Sequence, residues 1–198
     1  MPSNLVENCR IIREHEFNFA RRLAKGVLPK PKISIWLILV PVLFIYYARR
    51  IKFYKADLQR VCDGVVHTKN FALDAAAAEL QGEAVPDFRK QFLGKHPNPT
   101  RKVEEVFNLQ AAEIELLMAH YRRLLAQSAT DYAGLVRGAY KAKRSFREFM
   151  EMRGRAEEKL GTAVLEAFQS REEARAVHHR MVKLARELRE EELREVFS

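Results

Sequence analysis

Fifteen consecutive residues, Ile33–Tyr47 (ISIWLILVPVLFIYY), contain no Asp, Glu, Lys or Arg, and cations crowd both ends of the run. Arg21, Arg22, Lys25, Lys30 and Lys32 precede it; Arg49, Arg50, Lys52 and Lys55 follow. A soluble core helix is seldom apolar on every face, so this segment limits the fold more than any other. On the insertion scale the ten Ile, Leu, Val and Phe residues of the run contribute roughly 0.3–0.6 kcal/mol each, about 3–6 kcal/mol together. Trp36, Tyr46 and Tyr47 lie near its ends, where amphipathic rings favour the headgroup zone. The expectation is a membrane anchor over residues 33–48. Ile33, Ile35, Trp36, Leu37, Ile38, Leu39, Val40, Pro41, Val42, Leu43, Phe44, Ile45, Tyr46 and Tyr47 would insert. The nine flanking cations would contact anionic lipid, at about 1 kcal/mol per charge near the surface.

Length leaves the geometry open. A helix of 15 residues covers about 22 Å, against about 30 Å of hydrocarbon. Pro41, almost central, removes a backbone donor and favours a kink or break. Both flanks are basic, so the positive-inside rule assigns no direction. A short kinked span and a re-entrant hairpin turning at Pro41 both remain. The Tyr-Tyr-Ala-Arg-Arg sequence after the run is no signal-peptidase site, which predicts an uncleaved anchor.

The net charge of +9 is concentrated in the same region: residues 1–60 hold 12 Lys and Arg against 4 Asp and Glu, the remainder 23 against 22. Two cysteines and few glycines exclude a disulfide framework and argue against a turn-rich β fold. Nothing alternates with period two for long enough to build a sheet. Helical spacing is widespread.

From Asn4 to Lys25, Leu5, Cys9, Ile12, Phe19 and Leu23 share one face, interrupted by Glu16. This helix lies either on lipid or against the remainder of the chain. A helix is expected from Arg49 through Val61 or beyond, and another, short one over Phe71–Leu80. An irregular connection rich in Gly and Pro comes next, with a helical turn near Phe88–Phe92. Thr100 is positioned to cap a helix carrying Val103, Phe107, Ile114, Leu117, Tyr121 and Leu124. Thr130 or Asp131 caps the next helix, which Gly154 and Gly161 are expected to kink or divide. The last helix has a coiled-coil-like stripe, with Val177, Met181, Leu184 and Leu188 as the seam for a partner helix.

The expected architecture is thus all-α: a membrane-anchored antiparallel helical bundle with a coiled-coil-like C-terminal helix. Its parts would be a basic N-terminal helix and linker (1–32), the anchor (33–48), juxtamembrane helices with their connection (49–98), and a C-terminal bundle (99–198).

Motifs for chemistry are sparse. The sequence contains no Walker, Rossmann, HExxH, CxxC or GxSxG pattern. The Glu-x-x-His spacing of di-iron bundles does not occur either. Cys62, Asp63 and His67 form only a weak trio, and His178-His179 point two ways from one helix. The basic run Arg137, Lys141, Lys143, Arg144, Arg147 and Arg153, interleaved with Tyr140 and Phe146, reads as a solvated helical face. No metal, cofactor or catalytic residue is assigned. The expected function is a non-catalytic scaffold or adaptor that organises a protein partner, or a second copy of itself, at the membrane. The bundle is expected on the cytoplasmic face. A membrane-associated enzyme with dispersed active-site residues is the alternative; a nucleic-acid-binding protein is the weaker third.

Overall fold

In a computed structural model, residues 3–28, 41–85, 99–169 and 172–198 are described, with helical backbone alone for residues 41–55, 57, 60 and 61. Among the described residues the chain is all-helical. Its six helices are α1 (Ser3–Val27), α2 (Pro41–Leu80), α3 (Arg101–Leu125), α4 (Tyr132–Tyr140), α5 (Lys143–Ala167) and α6 (Glu172–Val196).

Residues 49–80 form no pair of helices but the greater part of one, α2, which runs unbroken for 40 residues. No proline interrupts it after the first position, and buried Cys62 and Val66 on either side pack the helix past Gly64, where an added Cβ would meet nothing. It ends in a left-handed cap at Gly82 (φ +70°), where the Glu83 amide reaches back to the Ala78 carbonyl at 2.9 Å. The suggested turn at Phe88–Phe92 lies outside the described residues.

Caps start two other helices. Thr100 accepts from the Val103 amide at 3.4 Å, and Asp131 from the Gly134 amide at 2.6 Å. The break in the next helical stretch falls at Lys141 (φ +59°), which separates α4 from α5; neither Gly154 nor Gly161 divides the chain. Those glycines are points of close helix approach. A Cβ at Gly161 would run into the His178 ring, and one at Gly154 would stand 3.1 Å from Arg189 Nη1.

Contacts set the helix directions. Arg13 pairs with Asp74 and Glu16 with Lys69, so α1 and α2 are antiparallel. Gly154 beside Arg189 and Gly161 beside His178 make α5 and α6 antiparallel too. In contrast, α2 and α3 run parallel: Gln110 bonds Thr68, and about three turns on in both helices Arg122 pairs with Glu79. The connection over 81–100 returns the chain to the starting end, which makes parallel neighbours possible.

Two apolar clusters fill the interior. The larger gathers Leu5, Ile12, Leu73, Leu117, Tyr121, Leu124, Leu135, Phe146 and Leu193 from all six helices. The smaller joins Phe19, Leu23 and Val27 of α1 to Ala185 and Leu188 of α6. Leu184, Met181 and Val177, partly buried, pack on it with Val65, so the α6 stripe lies against the chain's own helices.

Lys141 is exposed and holds a left-handed backbone that L side chains resist by about 1 kcal/mol or more. Lys141→Gly is expected to stabilise the protein by up to about 1 kcal/mol, read as a higher urea midpoint; Lys141→Ala should give no such gain.

Candidate functional site

Charged residues form a layer between the two apolar clusters. Glu16, 2% exposed, projects from the buried face of α1. Its Oε1 accepts from the Tyr121 hydroxyl at 3.0 Å. Its Oε2 accepts from Arg153 Nη2 and lies against Lys69 Nζ, both at 2.9 Å. One carboxylate therefore joins α1 to α2, α3 and α5. Arg153 Nε continues to Glu157 Oε1 at 3.0 Å, and Arg189 of α6 bonds the other Glu157 oxygen. The sequence of charges is Lys69, Glu16, Arg153, Glu157, Arg189: alternating in sign, with a cation at each end. Phe19 roofs it, with Lys69 4.8 Å and Arg153 and Arg189 each 5.8 Å from the ring centroid.

Burial alone would raise the Glu16 carboxyl, but Arg153 and Lys69 outweigh it and hold the group well below its ordinary value. The same competition leaves Glu157 at about 2, with Arg189 and Arg153 its main cations. Lys69 is pushed down by burial and by Arg153, against the pull of Glu16. Glu113 of α3 behaves in the opposite way. It is 6% exposed, and burial with nearby Glu157 raises it to about 7 despite Arg153, Lys69 and Arg189. His120 is buried neutral, driven down to about 3, with Nδ1 2.7 Å from the Tyr140 hydroxyl and its ring stacked on Phe149.

The charged layer forms the floor of a cleft of about 470 Å³ between α1, α2, α5 and α6. Phe19, Leu23, Val65, Leu160, Val164 and Met181 supply apolar wall; Lys69, Glu113, Glu157 and Arg189 supply the polar end. Among the described residues no hydrogen bond engages Glu113, and Arg189 Nε is buried without a partner.

Of the residues expected to meet lipid, Ile33, Ile35, Trp36, Leu37, Ile38, Leu39, Val40, Lys30 and Lys32 lie outside the described residues. Pro41–Tyr47, Arg49, Arg50, Lys52 and Lys55 fall on the helical backbone at the start of α2. Arg21, Arg22 and Lys25 are exposed on α1, where Arg22 pairs with Glu191. Arg21 and Lys25 come close enough to Cys62 to act on its thiol, although burial dominates and raises it. Among the described residues no helix is long and apolar enough to cross a membrane, and no group of His, Cys, Asp or Glu is arranged for a metal.

The basic run around Lys141 separates differently from the expected solvated face. Tyr140 and Phe146 are buried, Arg137 bonds the Val196 carbonyl at 2.9 Å, and Arg153, 2% exposed, belongs to the interior layer. Phe146, Phe149, Met150 and Arg153 share one helical face, so the spacing itself shows that this arginine points inward. The same signal marks Lys69 after Val66 and Glu113 before Leu117.

No protein-family model, curated protein or solved structure matches this chain.

Removing the Glu16 carboxylate strands two buried cations, so Glu16→Leu should destabilise the fold by about 3–5 kcal/mol. Replacing Lys69 and Arg153 with Met in the same chain should recover much of that loss in urea titrations. Glu113 gives a pH signature of the opposite sign to Glu16. Its folded value is raised, so the folded state holds a proton that the unfolded state releases from about pH 4.3 upward. Stability should fall between there and about pH 7. In Glu113→Gln that component should vanish, and the variant should gain on the wild type by a few kcal/mol across the window. A constant difference between the two proteins would contradict the assignment.

Proposed function

We propose that the chain is a membrane-tethered helical scaffold whose apolar segment enters one leaflet and returns. The observation that carries this reading is the packing of both flanks of that segment in one folded body. Before it, α1 is buried in the bundle down to Val27; after it, α2 is buried from Cys62 onward. A single span would place these flanks on opposite sides of the bilayer and pull α1 off α2. A hairpin leaves the bundle intact.

Distances support it. From Cys62 back to Pro41, the start of α2, the helix extends about 32 Å. The 13 steps from Leu28 to Pro41 reach at most about 45 Å when extended. Residues 41–47 give a helical limb of about 10 Å, the depth of an interfacial insertion. Helical hydrogen bonds satisfy the backbone of that limb in lipid. Arg49, Arg50, Lys52 and Lys55 then fall at headgroup level, with Arg21 and Lys25 at the end of the bundle from which α2 emerges. Two basic flanks favour the cytoplasmic side for the bundle. Glu16, Lys69, Arg153 and Glu157 are engaged with one another, which supports a structural role for that part of the interior and favours binding or organising a protein partner.

The full-length chain should float with vesicles containing anionic lipid and persist there after a high-salt wash. Leu39→Asp/Phe44→Asp should remain in the dense fraction while the circular dichroism of the bundle is unchanged. Quantitative release of the wild type by salt would contradict insertion. Topology needs introduced thiols, because native Cys62 is buried and Cys9 half-buried, both raised by desolvation. With Cys9→Ser and Cys62→Ala as background, Val6→Cys and Lys102→Cys occupy exposed positions on α1 and α3. An impermeant maleimide applied to cells should treat both sites alike; labelling of one and protection of the other would overturn the hairpin.

A further inference from the structure

We propose that the cleft between α1, α2, α5 and α6 is a binding site for a single-chain amphiphile ending in a carboxylate, with the acyl tail against the apolar walls and the head on Arg189 and Glu113. The site stands independently of the membrane insertion argued above.

Several observations converge on an anion. The alternating charge layer is odd in number, with three cations and two carboxylates, so it carries one uncompensated positive charge unless Glu113 ionises. Arg189, at the cleft end of that layer, already gives Nη2 to Glu157 and keeps Nε buried without an acceptor. Such an orphaned buried donor is destabilising, the more so on a charged group, and an incoming oxygen would relieve it. Glu113 is more than nine-tenths buried, lines the same cleft and has no hydrogen-bond partner among the described residues. As a neutral acid it can donate to a carboxylate beside it; as an anion it would repel one. Gly154 gives Arg189 the space to lie there, since a Cβ at that position would stand 3.1 Å from Nη1.

The remainder of the cleft fits a tail. Leu23, Val65, Leu160, Val164 and Met181 come from four helices and present hydrocarbon on both sides. Its volume of about 470 Å³ falls within the range of small-molecule sites, about 300–1,000 Å³. A polar head without charge would leave the surplus cation uncompensated, and a cationic head would add to it.

Binding should therefore be linked to a proton on Glu113. The groups acting on that carboxyl are Lys69 from α2, Arg153 and Glu157 from α5, and Arg189 from α6; Glu158 and His178 also line the cleft. With Glu113 at about 7, affinity should be flat in mild acid and fall by up to about tenfold per pH unit above that.

The test uses the full-length chain in lipid nanodiscs and a photoreactive analogue of dodecanoate, with crosslinked peptides mapped by mass spectrometry. Label is expected on the α5 segment Leu160–Leu165 and on α6 near Met181, displaced by dodecanoate at least tenfold better than by dodecanol or dodecyltrimethylammonium. Val164→Trp, which fills the cleft from its wall, should abolish that label. Glu113→Gln should keep it and lose the pH dependence, since the amide imitates the neutral acid. Preferential displacement by the trimethylammonium compound would assign a cationic ligand and overturn the proposal. So would label that is scattered and not displaced, or a cleft closed to the probe because residues 33–40 or a second copy already fill it.

Discussion

One carboxylate holds the helices in register. Glu16 is placed where a helix of apolar spacing would have another Leu or Ile, and three donors from three other helices close on it. A charge so far from water is tolerable only when each of its lone pairs is engaged. The arrangement is therefore stringent: sliding α1 by one turn against α2 would separate the carboxylate from Lys69, Arg153 and Tyr121 together. An interior of hydrocarbon alone would hold the same helices with far less preference for one alignment. The parallel neighbours α2 and α3, which have no short loop to fix their offset, benefit most from such a constraint.

Helix existence was legible wherever a cap and a 3–4 apolar spacing coincided. Thr100 and Asp131 begin helices as their chemistry requires, and Gly82 ends one. Glycine inside a helix misled in two opposite ways. Gly154 and Gly161 resembled breaks but provide room for α6, while the real break falls at Lys141, a residue with no local signature for a left-handed backbone. Tertiary packing decided both cases, and spacing along one strand of sequence does not encode which neighbour approaches.

The charged interior was written in the sequence more clearly than periodicity arguments alone brought out. Glu16 interrupts an apolar face, Arg153 follows Phe146, Phe149 and Met150 at helical spacing, and Glu113 comes before Leu117 at the same spacing. Each one taken singly is the usual mark of an amphipathic helix with an imperfect stripe. Only when α1, α2, α5 and α6 are brought together do Glu16 and Arg153 meet partners of opposite sign, with Glu113 of α3 left beside them. The cleft was not legible, because its walls come from α1, α2, α5 and α6, and their adjacency depends on the long return between α2 and α3.

The unbroken course of α2 has a mechanical consequence. The same rod supplies Cys62–Ala77 to the core and carries the greasy end, and the stretch between, residues 48–61, measures about 21 Å. With its tip embedded, the body would stand on a stiff stalk, at a set height and angle, rather than swing on a tether. Anything that tilts the stalk must also turn Lys69 against Glu16, so the mounting and the innermost ion pairs would yield together or hold together.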